Sequence, residues 1–95
     1  MTKDEIINVI YSSIDDINQQ NEINIPKTLD AVLFGRKSDL DSLGLINLIN
    51  TIEEKIEEAT GEYISITDER AMSLEVSPFK TVGTLANYIE TLLNE

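Results

Sequence analysis

Ser42-Leu43-Gly44-Leu45-Ile46-Asn47-Leu48-Ile49-Asn50-Thr51-Ile52-Glu53-Glu54-Lys55-Ile56-Glu57-Glu58-Ala59-Thr60, closed by Gly61, decides how this chain is read. At about 100° per residue, Leu45, Leu48, Ile49, Ile52, Ile56 and Ala59 fall within one arc, the core face of an amphipathic helix. Gly61 supplies a left-handed C-terminal cap. Ser42 lies at the edge of the core arc, and Leu43, Ile46, Asn50, Glu53, Glu54 and Glu57 fall on the face away from it. Single exposed aliphatics are common and mean little. Beside a serine hydroxyl and a row of carboxylates they have the composition of a face that meets a partner. A solvated acidic helix carries the same charges, so both readings stand at this point.

The flanking segments are helical as well. Thr2 and Glu5 form a capping box, and Ile6, Ile10, Ile14 and Ile17 recur at helical spacing with Ile7 and Val9 beside them. The pattern fades into Asn18-Gln19-Gln20-Asn21, which reads as loop. A long connection through Pro26 runs to about Leu40, and its patch of Leu29, Ala31, Val32, Leu33 and Phe34, ended by Gly35, is expected to fold back over the core. After Gly61, Tyr63-Ile64-Ser65-Ile66 is short and extended, and Thr67 with Asp68 and Glu69 caps a short helix. Ser77-Pro78 breaks the chain, and a last helix starts around Thr81 with Val82, Leu85, Ile89 and Leu92 inward. The expectation is one all-α domain over residues 1–95. It is a four-helix bundle with three longer helices, one short helix and a long loop between the first and second.

Composition narrows the function. The 95 residues are 41% hydrophobic but only 5% aromatic, which suits helix-on-helix packing in a single domain. No Cys and no His are present, which excludes disulfides, the usual zinc ligand sets, Cys or His nucleophiles and His acid–base catalysis. Eighteen acids against 7 bases leave a net charge of −11, which repels nucleic acid and anionic membranes and attracts basic protein patches. No apolar run reaches the ~20 residues of a membrane span, and the N-terminus has no signal-peptide pattern, so a cytoplasmic monomer is expected.

Ser42 at a helix start is, by position, a cap residue like Asp39 and Asp41. The full box is missing, because Leu45 stands where a Glu would answer it. A calcium loop beginning at Asp39 fails: Leu43 and Asn50 fall at its fifth and twelfth positions, which need an oxygen ligand and a bidentate Glu. Ser42 has no His to act as its base and no Gly-rich phosphate loop occurs, so the chain is not read as an enzyme.

Ser38-Asp39-Leu40-Asp41-Ser42-Leu43-Gly44-Leu45, followed by the Ile-Asn-Leu-Ile run and Glu53-Glu54, resembles the attachment motif of acyl and peptidyl carrier proteins. Thr81-Val82-Gly83-Thr84-Leu85-Ala86-Asn87-Tyr88-Ile89 is similar to that family's final helix, so the resemblance runs the length of the chain. It implies a 4'-phosphopantetheine arm on Ser42, installed from coenzyme A by a phosphopantetheinyl transferase, with acyl or aminoacyl groups carried as thioesters. Asp41 and Leu43 would flank the attachment point, Asp41 in recognition by the transferase. Leu43 and Ile46, with Asn50, would give the contacts to partner enzymes, and Glu53, Glu54 and Glu57 would meet their basic residues. Those partners would be a loading ligase and downstream acyl-transfer enzymes. Gly44 and Asn47 stand where fatty-acid-type carriers often have acids, and the stretch from Ile66 to Lys80 is longer than in compact fatty-acid carriers. A dedicated biosynthetic pathway is therefore expected. The rival reading is an unmodified acidic helical adaptor that docks on a basic protein surface.

Overall fold

The computed structural model describes residues 1–33, 42–66 and 79–94, with Asn21 and Ser42 described by backbone alone. Among these residues the fold is all-helical: α1 (Lys3–Asn21), α2 (Ser42–Thr60) and α3 (Val82–Leu93). The expected short helix at Thr67, the Ser77-Pro78 break, Phe34 and Gly35 lie outside the described residues.

The α1 helix starts as its sequence dictates. Thr2 Oγ1 accepts from the Glu5 amide at 3.2 Å, and Glu5 Oε1 accepts from the Thr2 amide at 2.9 Å. The Thr2 amide that donates to the carboxylate, with the Thr2 hydroxyl beside it, holds the Glu5 carboxyl below the usual glutamate range. Ile6, Ile10, Ile14 and Ile17 are buried as one stripe, and α1 packs against both α2 and α3. Its last turn runs through Asn21 instead of ending near Asn18. The apolar periodicity stops there, but backbone bonding does not. Glu22 turns left-handed at φ 54° and donates its amide to the Asn18 carbonyl. The Asn18 side chain then accepts from the Ile25 amide at 2.9 Å and donates to the Ile25 carbonyl at 3.2 Å, which fixes the buried Ile25 against the helix end.

Leu45, Leu48, Ile49, Ile52 and Ile56 of α2 are buried, as expected, but Ala59 is exposed. No residue of α2 beyond Ile56 belongs to the core, and among the described residues nothing buries the inward arc of its last turn. Gly61 caps the helix at φ 76°, donating to the Glu57 carbonyl at 2.8 Å. Lys55 Nζ meets Asp16 Oδ2 of α1 at 3.3 Å, tying the two helices on their solvent side.

The described part of the long connection does fold over the core, with Ile25, Ala31 and Leu33 buried, although Leu29 stays half exposed. Its backbone reaches the start of α3. A single antiparallel bridge pairs Val32 with Thr81, and Leu33 donates to the Lys80 carbonyl at 2.8 Å. The first amides of α3, which have no partner within the helix, donate outward instead. Val82 donates to Ala31 O at 3.1 Å, and Gly83 donates to Leu29 O at 2.8 Å. A Cβ on Gly83 would stand 3.1 Å from that oxygen, so glycine permits the approach. Thr81 and Thr84 cap each other, and Val82, Leu85, Ala86 and Ile89 face inward, with Leu92 only partly buried. Lys3 Nζ also donates to Asn87 Oδ1, linking the start of α1 to α3.

Candidate functional site

The site is built on the outward side of α2, beginning at its first turn. Ser42 is the first residue of the helix; its side chain, like all of Asp41, lies outside the described residues. Nothing acidic occupies the first helical turn, so no carboxylate within the helix offsets the positive end of its dipole. Immediately beyond Ser42 the surface is apolar and open. Leu43 is 66% exposed and Ile46 is 50% exposed, although both could have turned inward had they belonged to the core. Gly44 between them is partly buried, and Asn47 is exposed. Asn50, Glu54 and Glu57 continue the exposed strip along the helix.

Glu53 breaks the expected row. It is only 7% exposed, and its carboxylate turns back into the protein. Oε1 accepts from the Ile66 amide at 3.1 Å, and Oε2 accepts from the Tyr63 hydroxyl at 3.3 Å. The reason is geometric. Glu53 follows the buried Ile49 by four residues and so projects only about 40° from it. That is the margin of the core, and the chain leaving Gly61 crosses there, with Ile66 fully buried. A carboxylate placed at this margin is either covered and bonded or excluded. Here it is covered and bonded, and it serves the fold.

Tyr63 joins the strip at this point through its bond to Glu53. The residue is 66% exposed while its hydroxyl is held by Glu53. The Glu53 charge, with some burial and the hydrogen bond itself, raises the phenol above its ordinary value of 10, and Glu57 adds to the shift. The ring is therefore neutral throughout the physiological range. The strip thus reads Leu43, Ile46, Asn50, then an aromatic face, then Glu57. Sequence reading assigned Tyr63 only to an extended exit segment. The available signal was an aromatic residue two positions past a helix-ending glycine in a chain with few aromatics.

Comparison with protein-family models, with curated proteins and with solved structures gives no match. No helix among the described residues is long and apolar enough to cross a membrane.

The strip can do two things chemically. Its apolar start can bury against a partner beside the first turn of α2. Its acidic end can steer a basic surface into register, an effect felt more in association rate and selectivity than in affinity. Lys55, the one base on α2, is turned to Asp16 and leaves Glu54 and Glu57 uncompensated by their own helix.

Proposed function

We propose that this chain is a carrier protein of the acyl or peptidyl type, with phosphopantetheine on Ser42, serving a dedicated biosynthetic pathway. The observation that carries the reading is the first turn of α2. There the Asp41-Ser42-Leu43 motif opens a helix whose next outward residues, Leu43 and Ile46, are large, aliphatic and exposed. A serine that served only as a cap would need neither.

The residues present are compatible with the group. A phosphodiester at Ser42 would sit at a helix N-terminus with no acidic residue in its first turn, where free amides and the dipole favour an anion. When bound, the group supplies a terminal thiol that holds cargo as a thioester. The chain itself has no Cys, so no thiol of its own competes for that cargo. Leu43 and Ile46 would seat partner enzymes next to the attachment point, and Glu54 and Glu57 would align them. Binding of this kind is weak enough for release between successive enzymes. The finer architecture belongs to the same proposal: a fourth, short helix opening at Thr67 completes the bundle.

Intact-protein mass after incubation with coenzyme A and a broad-specificity phosphopantetheinyl transferase tests the proposal. The expected result is a gain of one phosphopantetheine that Ser42→Ala abolishes. A chain that gains nothing is the unmodified acidic adaptor instead.

A further inference from the structure

The strip on α2 departs from a simple acidic row at one point, where an aromatic ring replaces a carboxylate. Glu53 is withdrawn to bond Ile66, and Tyr63 is tethered to it by its hydroxyl while remaining a largely exposed residue. A tethered ring loses little freedom when something stacks on it, which favours contact at that spot. Glu57, exposed, follows by one helical turn the Glu53 carboxylate that holds the Tyr63 hydroxyl, and its charge also acts on the phenol. Two features therefore share the far end of the strip: a neutral aromatic residue and an anion with no ion pair among the described residues.

That pairing distinguishes between cations. A guanidinium is planar, so it can stack on a ring and still donate to a carboxylate, whereas an ammonium is a compact, strongly hydrated point charge. We propose that Tyr63 is the specificity-determining residue of this surface. Its ring and the Glu57 carboxylate together receive an arginine side chain of a partner protein, in preference to a lysine. Leu43 and Ile46 receive the apolar contacts that flank that arginine. The assignment rests on the α2 strip being the docking face, as in the carrier reading, but it does not require Ser42 to be modified.

The test uses the isotope-labelled full chain in solution at low salt. It is titrated with a short blocked peptide alternating leucine and arginine, and separately with the leucine–lysine counterpart. The arginine peptide is expected to move the amide signals of Ile46, Glu57 and Tyr63 and to bind about threefold more tightly than the lysine peptide. Tyr63→Phe keeps that preference, because the ring remains. Tyr63→Ser removes it and leaves the weaker, charge-driven binding common to both peptides. Equal binding of the two peptides overturns the assignment, as does a preference that survives Tyr63→Ser or an arginine complex that leaves Tyr63 unmoved. Shifts at the same residues that grow with protein concentration alone assign the patch to a second copy of this chain and also overturn it. The outcome is separable from the carrier reading. A chain that takes no phosphopantetheine but prefers arginine loses only that reading, and a chain that is modified but shows no preference loses only this one.

Discussion

Glu53→Ala tests the reversal of Glu53 from a surface acid to an internal one. The Glu53 carboxylate accepts the Ile66 amide at 3.1 Å in a buried setting, and a hydrogen bond to a charged acceptor contributes about 1.5–3 kcal/mol. Truncation leaves the Ile66 amide under its fully buried side chain with no acceptor, at a cost of about 1–3 kcal/mol that overlaps the first figure. The Tyr63 bond is longer and its phenol mostly exposed, so it adds little. The expected loss is about 2–3 kcal/mol, a fall of roughly 10–20 °C in melting temperature for a domain of this size. Alanine gains the same helix propensity at 53 and at 54, so Glu54→Ala is the matched control and should change stability by less than about 0.5 kcal/mol. Glu53→Gln keeps an oxygen for the Ile66 amide and should lose about 1 kcal/mol, since a neutral acceptor bonds roughly half as strongly. Urea unfolding followed by far-UV circular dichroism measures all three. If Glu53→Ala and Glu54→Ala unfold at the same urea concentration, the carboxylate is solvated and the account of the core margin is wrong.

Three further outcomes are expected. Glu22→Gly should stabilise the chain by about 0.5–1 kcal/mol in the same urea assay, because Glu22 is exposed and sits at φ 54°, which only glycine adopts without steric cost. Glu5→Gln keeps the capping oxygen but removes the charge. Since the folded chain holds the Glu5 carboxyl low, its contribution is present above the ordinary value of 4.5 and is lost as pH falls through the folded value. The stability difference between wild type and Glu5→Gln should therefore be constant at neutral pH and shrink on acidification below 4.5; a difference that stays level refutes the charged box. The rate of phosphopantetheine transfer to Ser42 should fall about tenfold or more as salt rises from ~0.1 M to ~1 M, as the screening length drops from about 10 Å to about 3 Å. A rate indifferent to salt removes Glu54 and Glu57 from recognition.

What could be read in advance was what depends on near neighbours. The isoleucine stripe of α1, the Thr2–Glu5 box, the Gly61 cap and the core face of α2 up to Ile56 each follow from spacings within one or two helical turns. The failures share the opposite property. Ala59 lies on the inward arc, but whether anything covers it depends on how far the packed core extends along α2. Glu53 sits at a margin whose burial is decided by where Tyr63–Ile66 crosses, ten and more residues later. The end of α1 was obscured because Asn18 bonds forward to Ile25 with its side chain, and a run of Asn and Gln carries no apolar period to show it. At the candidate site, Leu43, Ile46, Asn50, Glu54 and Glu57 stand where the helical wheel puts them, and Tyr63 could not be placed there without knowing the path of the chain after Gly61.

The bonds from Val82 and Gly83 to the carbonyls of Ala31 and Leu29 join segments separated by about half the chain. A ribosome delivers the first of these segments long before the second. Until α3 has emerged, the Leu29 and Ala31 carbonyls lack the donors that Val82 and Gly83 bring, and the described connection is tied to α1 only near Ile25 and Lys27. The strap therefore closes late: α3 arrives with its first amides unpaired and fastens a segment laid down early. A nascent chain stalled before Thr81 would carry α1 and α2 with their shared apolar surface still partly uncovered, as a client for chaperones and not yet a substrate for any enzyme that needs the folded start of α2.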